Sequence, residues 1–267
     1  VTGSTTFTAN TNVVLDSGQP KLRFVETDTT DVNFEMQKGD FVYLIGKTGS
    51  GKSSFLKTLY GELELKVGDA VVSEFDLRKL PRKSVPYLRR KIGIVFQDNK
   101  LLADRSAFDN VALPLTIAGI SDREIPRRVR AALDQVGLLK KEKLLPGMLS
   151  TGEQQRVGIA RAIVAKPPLV IADEPTGNLD PDLSLEIMNL FCRFNEVGTT
   201  ILIASHDLAL IERLGRRRVE LKDGRLSGVQ FESAQESGSW SAIPYYSSAI
   251  PQVQDFYVGE VRLDNLD

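Results

Sequence analysis

Eight consecutive residues, Gly46-Lys47-Thr48-Gly49-Ser50-Gly51-Lys52-Ser53, have the types and spacing needed to hold a chain of phosphates. The glycines let backbone N–H groups close around phosphate oxygens with no Cβ in the way. Lys52 places a compact positive charge where the β- and γ-phosphates of a nucleoside triphosphate would lie. The Ser53 hydroxyl is placed to ligate Mg²⁺. The whole run, Gly46, Lys47, Thr48, Gly49, Ser50, Gly51, Lys52 and Ser53, with Ser54 after it, is expected to line the phosphates.

Two further groups could act on the same ligand. Leu169-Val170-Ile171-Ala172-Asp173-Glu174 is an apolar strand ending in two carboxylates. Adjacent carboxylates at a strand end point to different sides, which suits two tasks. Asp173 is expected in the Mg²⁺ shell, and Glu174 is expected to polarise the water that attacks the γ-phosphate. Between this strand and the glycine-rich loop lies Leu149-Ser150-Thr151-Gly152-Glu153-Gln154-Gln155. Ser150 and Gly152 sit where a helix begins, so a hydroxyl and backbone N–H groups could meet an anion there.

These groups need elements to position them. Phe41-Val42-Tyr43-Leu44-Ile45 before the glycine-rich loop reads as a strand, and the run from Ser53 to Tyr60 after it reads as a helix that Gly61 stops. Apolar strand-like runs also occur at 92–96, 169–172 and 199–204, with helical patterns at 123–136, 153–165 and 182–196. Continuous rather than alternating apolar strands, separated by helices, predict a parallel sheet covered on both faces. The stretch from about 98 to 150 is more helical and reads as an inserted subdomain. Residues 226–267 change character: they are rich in Ser, Gly and Gln, carry six acidic residues against one basic, and repeat Ser-Ala-Ile-Pro. They read as a flexible tail, with Val258–Leu263 a candidate edge strand.

The 267 residues suffice for one large domain and a tail, and 42% hydrophobic with 26% charged residues fits a soluble globular protein. A net charge of −1 gives no field that calls for nucleic acid. The single cysteine, Cys192, excludes an intrachain disulfide and reads as a core-facing thiol. No stretch approaches 18 consecutive apolar residues, and the start Val1-Thr2-Gly3-Ser4-Thr5-Thr6 does not read as a signal peptide. Seven basic residues fall within 78–91, a solvated face or a contact for a membrane partner or anionic headgroups.

The order of these motifs over about residues 31–225 resembles the nucleotide-binding domain of ABC ATPases. Ser150-Thr151-Gly152-Glu153-Gln154 is similar to the family signature, Gln97 to the glutamine that links the metal site to the membrane partner, Asn178-Leu179-Asp180 to the family's D-loop, and His206 to its switch histidine. The resemblance implies an α/β phosphate-loop fold with a parallel-rich core sheet, an N-terminal antiparallel β part and a helical subdomain at about 98–160, within a domain spanning 1–225. It implies ATP and Mg²⁺ as ligands. Lys52, Glu174, His206 and Gln97 would be catalytic, and Ser53, Gln97 and Asp173 would be on the metal. Ser150, Gly152, Glu153 and Asp180 would complete the nucleotide site of a second copy, so that two chains sandwich ATP. An aromatic stacked on adenine is expected just upstream of the first core strand, and Phe24 is the candidate.

Finer similarity narrows the branch. Phe96–Arg105 and Asp109–Leu115 resemble the bacterial cell-division ATPases, whereas Ala172–Asp180 is shared with lipoprotein-releasing and macrolide-export ATPases. The resemblance implies a peripheral protein on the cytoplasmic face of the bacterial inner membrane, bound to a polytopic permease. One departure stands out: Thr151 occupies a signature position where the family has glycine, and a β-branched residue there disfavours a glycine-only backbone geometry. Thr151 therefore leaves open a non-hydrolysing, ATP-gated scaffold.

Overall fold

The structure, a computed structural model, describes residues 21–24, 34–65, 70–177, 179–222 and 225–230, so the expected edge strand at 258–263 lies outside the described residues. Its centre is a six-stranded sheet of β3 (Phe41–Ile45), β6 (Ile92–Val95), β7 (Leu169–Asp173), β8 (Thr200–Ala204), β9 (Arg217–Lys222) and β10 (Arg225–Gln230). Their order is β10-β9-β3-β8-β7-β6. Every pair is parallel except β9 with β10. The four apolar runs thus form adjacent strands. Strand β10 takes in residues 226–230 of the stretch expected to be tail.

Alternate residues of each central strand enter two separate cores. Tyr43, Val170, Ala172, Ile201 and Ile203 face one, packed with Val111, Val129, Val157 and Phe191. These come from α3 (Ala107–Ile117), α4 (Ile125–Gln135), α5 (Thr151–Ile163) and α6 (Pro181–Glu196). Val42, Leu44, Leu169, Ile171 and Leu202 face the other, packed with Phe55 and Leu88. Those two come from α1 (Lys52–Leu59) and α2 (Val85–Arg90). Burial on both faces explains why these strands lack polar alternation.

A second sheet, of order β2-β1-β4-β5, is antiparallel and comprises β1 (Lys21–Phe24), β2 (Phe34–Met36), β4 (Ala70–Ser73) and β5 (Phe75–Asp76). Phe34, Met36 and Val72 join the core with α1 and α2. The helical stretch contains α3, α4 and the start of α5, as its composition predicts. Among the described residues no helix is long and apolar enough to cross a membrane.

The register fixes the site. Leu44 and Asp173 both pair with Ala204, and Ala172 pairs with Val95. The ends of β3, β6, β7 and β8 therefore lie side by side at one edge, where ligands of open α/β sheets bind. Each of these strands runs out into a sequence motif singled out above.

Candidate functional site

The loop between β3 and α1 is shaped by its glycines. Gly51 has φ 101° and caps α1, and Gly49 has φ 84°, both in the region that favours glycine. A Cβ on Gly46 would collide with the backbone carbonyl of Leu221 and lie 2.7 Å from Ser50 Oγ. Gly46 is thus required by close approach of β9. The Ser50 hydroxyl is buried in the loop without a hydrogen-bond partner. Lys47, Thr48 and Gly49 are exposed on the loop's outer side, and Ser54 lies in the first turn of α1.

Lys52 is buried, and its Nζ donates to the carbonyls of Gly46 at 2.7 Å and Lys47 at 3.2 Å. The same ammonium lies 3.8 Å from Glu174 Oε1. Glu174 Oε2 in turn lies 2.7 Å from His206 Nδ1. Three residues separated in sequence thus form one polar row across the ends of β3, β7 and β8. Glu174 has φ 46°, a sparsely populated backbone state for a non-glycine residue. It is held there because its N–H donates to Ala204 O at 2.9 Å and its carbonyl accepts from Gly177 N at 3.2 Å. Strain of this kind is concentrated where side chains must be aimed. Glu174 is largely buried and His206 is half exposed, so the row opens to solvent at the histidine end.

Asp173, at the end of β7, lies beside Ser53. Burial pushes its carboxyl pKa up, the nearby Ser53 hydroxyl pulls it down, and the Glu174 charge raises it further. Asp173 Oδ1 is buried with no hydrogen-bond partner. A buried, unpartnered carboxylate oxygen beside a serine hydroxyl is the hard-oxygen donor set Mg²⁺ takes when nucleotide phosphates supply further ligands. Among the described residues there is no group of three or more His, Cys, Asp or Glu side chains placed to hold a metal ion by themselves. Gln97 is exposed, two residues past the end of β6, the strand next to β7.

The second motif is built separately. Ser150 is the N-cap of α5, and a reciprocal capping box joins it to Glu153: Ser150 Oγ accepts from Glu153 N at 3.3 Å, and Glu153 Oε2 accepts from Ser150 N at 3.0 Å. Lys141 donates to Glu153 Oε1. That bond, with the one from Ser150, holds the Glu153 carboxyl below its ordinary pKa. A Cβ on Gly152 would run into the Leu183 side chain of α6. Asp180 caps α6, accepting from Leu183 N at 3.0 Å. Thus Ser150, Gly152, Glu153 and Asp180 form one group through Leu183, distinct from the row around Lys52. Thr151 is exposed at the first position of α5 and does not have a positive φ. The expectation that its backbone needs glycine is therefore corrected: the position is ordinary helix, open to any L-residue.

Phe24 lies in β1, paired with Phe34 and Ala70, and its side chain is outside the described residues, as is Asn178. The Cys192 thiol has its pKa raised by burial and is not activated. Sequence reasoning missed Arg161, Asn110, Lys141 and Leu183. Each acts through a partner distant in the chain or through backbone, which no spacing rule reports.

A phosphate loop at the carboxyl edge of a parallel sheet, facing an acid–histidine pair, defines a phosphate-loop nucleotide-binding protein of α/β type. Comparison with known proteins is more specific. Residues 29–177 match the ABC transporter family. The Escherichia coli (strain K12) cell division ATP-binding protein FtsE is 53% identical over 197 residues, 74% of this chain and 89% of that protein. FtsE of Streptococcus pneumoniae (strain D39) is 47% identical over 207 residues, 78% of this chain and 89% of that one. Among solved structures, a dimeric post-hydrolysis ATP-binding cassette bound to ADP and Pi superposes with a TM-score of 0.70 at 32% identity, covering 79% of this chain and 97% of that one. A cassette of a Clostridium perfringens ABC transporter complex gives 0.68 at 30% identity, covering 79% and 86%. The chain belongs to the ABC transporter family of ATP-binding cassettes.

Proposed function

We propose that this protein is the ATP-hydrolysing subunit of a bacterial membrane complex in cell division. In this reading it acts as a homodimer on an FtsX-like polytopic permease at the cytoplasmic face of the inner membrane and so controls cell-wall hydrolases. The observation that carries the enzymatic part is the Lys52–Glu174–His206 row, backed by Asp173 beside Ser53, whose buried Oδ1 has no hydrogen-bond partner. The division role is supported by identity of about half to FtsE over most of the chain.

The chemistry follows from what each group can do. Lys52, held by the loop's own carbonyls, aims positive charge at the terminal phosphates, and the loop N–H groups and the N-terminus of α1 add to it. Glu174 is the base that orients and deprotonates the attacking water, and its strained backbone fixes the direction of the carboxylate. His206 is bonded to that carboxylate through Nδ1, so its Nε2 is the nitrogen left to meet the γ-phosphate, to which it can donate when both ring nitrogens carry protons. Ser53, Asp173 and Gln97 are the residues that would hold Mg²⁺, which when bound neutralises charge on the phosphates. Ser150 Oγ accepts a backbone N–H and keeps its own proton to donate to the γ-phosphate of a second copy's nucleotide. Gly152, Glu153 and Asp180 hold that edge in place. A two-fold head-to-tail dimer would close two such sites.

The test is capture. The Glu174→Gln protein, with ATP and Mg²⁺, is recovered from membranes of its source and the co-purifying proteins identified. An FtsX-like permease supports the division role. A lipoprotein or macrolide-type export permease would transfer the same chemistry to transport. An ATP dimer with no membrane protein, and no ATPase activity in the parent, would leave an ATP-gated scaffold.

A further inference from the structure

A line of contacts joins the two halves of the site inside one chain. Helix α1 starts at the phosphate loop and ends at its C-cap Tyr60. The Tyr60 ring meets Phe96 edge-on, with centroids 6.3 Å apart and planes at 81°. Phe96 precedes Gln97, and the Lys100 ammonium lies 5.1 Å from the Phe96 ring centroid. Asn99 and Lys100 both have left-handed backbones, φ 55° and 45°. Their two carbonyls converge on one guanidinium: Arg161 Nη1 donates to Lys100 O at 2.8 Å, and Nη2 donates to Asn99 O. Arg161 lies on α5, the helix whose N-cap is Ser150.

Arg161 is partly buried. Burial lowers its pKa and no neighbouring carboxylate opposes that effect, so backbone carbonyls alone receive the guanidinium. Asn99 is also buried, its Oδ1 has no hydrogen-bond partner, and that oxygen would sit 3.6 Å from a Cβ on Gly158, one turn before Arg161 on the same helix. The partly buried guanidinium and two sparsely populated backbone states hold one another in place.

We propose that Arg161 is a positioning residue: it clamps the loop after Gln97 to α5, so that the state of the phosphate-loop end is passed to Ser150. The inference rests on the ATPase reading above and names a residue through which it is coupled. Energetic coupling of this kind is carried by contiguous packed contacts and rigid elements. The helix supplies the rigid element. Among the described residues, the carbonyls of Asn99 and Lys100 are the hydrogen-bond partners of the Arg161 guanidinium.

The test uses the full chain with Arg161→Met in the Glu174→Gln background for dimerisation, and Arg161→Met alone for turnover. ATP affinity of the protomer is read with a fluorescent ATP analogue, dimerisation by sedimentation at graded protein concentration with ATP. Expected is affinity within about threefold of the parent, at least a tenfold higher concentration for half-dimerisation, and a lower kcat with little change in KM. Arg161→Lys, which keeps the charge and reaches one carbonyl, should fall between. Should Arg161→Met not fold, Arg161→Lys carries the test, since it keeps the charge but cannot bond both carbonyls: a higher concentration for half-dimerisation supports the clamp, and parent-like dimerisation overturns it. Parent-like dimerisation and kcat in Arg161→Met also overturn it, as does loss of protomer affinity in step with dimerisation, which marks a purely structural role. A parent that neither binds ATP nor dimerises would overturn the ATPase reading itself, and is seen before any variant is compared.

Discussion

Glu174 Oε2 and His206 Nδ1 lie 2.7 Å apart, although the two residues come from the ends of different strands. The pairing fixes the ring: with the carboxylate ionised, Nδ1 must carry the proton it donates. It also means that the base and the histidine are aimed by one another. His206→Ala should therefore impair chemistry more than binding, lowering kcat by about 100-fold or more with ATP affinity within a few-fold. Steady-state kinetics with nucleotide titration check this; parent-like kcat would remove His206 from the mechanism.

Gly46 gives a steric prediction. A methyl at this position would meet the Leu221 carbonyl, which is backbone held in β9 and cannot swing away. Gly46→Ala should distort the loop, reduce stability by about 1–3 kcal/mol, and weaken ATP binding at least about tenfold. Thermal unfolding and nucleotide titration would show both; unchanged affinity would mean that the loop tolerates displacement at its start.

Thr151→Gly bears on the departure in the signature. Because Thr151 is exposed in the first turn of α5 with an ordinary backbone, glycine there restores nothing that the backbone lacks. Turnover should stay within about twofold of the parent or rise slightly, at a stability cost of at most about 1 kcal/mol. A large loss of activity would show that the threonine side chain itself works in the site.

The sequence made the parallel strands and their terminal motifs readable for one reason: strands buried on both faces are continuous apolar runs, as in Leu169–Asp173 and Thr200–Ala204. Phosphate-loop and carboxylate residues follow directly on those runs, so locating the strand locates the chemistry. The antiparallel sheet was not readable strand by strand. Its members are short and mixed, such as Lys21-Leu22-Arg23-Phe24, and Phe24 finds Ala70 far along the chain. Arg161 was hidden because it bonds carbonyls 61 and 62 residues away, in a loop whose left-handed backbone has no glycine to announce it. The concern over Thr151 arose because a backbone angle is not written in the residue type.

Asn110 shows how a polar residue can carry a loop. Fully buried on α3, it accepts from Leu102 N at 2.8 Å, and its amide nitrogen donates to Leu102 O, Arg105 O and Ser106 O. It therefore holds the Leu101–Arg105 segment through backbone alone. Asn110→Ala would leave those groups short of partners and should lower stability by about 2–4 kcal/mol, with hydrogen exchange rising first at 102–106. ATP binding should change little. Uniform exchange across the whole helical part would instead make Asn110 a general packing residue.

Glu153 gives a pH dependence with a defined sign. Hydrogen bonds from Lys141 and from the Ser150 backbone favour its ionised form, so its folded pKa lies below the ordinary glutamate value. The folded state then binds this proton less readily than the unfolded chain. Its contribution to stability is complete above the ordinary glutamate range and fades as pH falls through that range towards the lowered folded value. Glu153→Gln keeps an oxygen for the cap but loses the charge facing Lys141, a partly exposed pair that contributes at most about 1 kcal/mol. Denaturant unfolding of parent and variant should therefore separate at pH 7 and draw together as pH falls through the ordinary glutamate range towards the lowered folded value. A gap that persists or widens in acid would assign the stabilisation to packing around the cap instead of to the Glu153 charge.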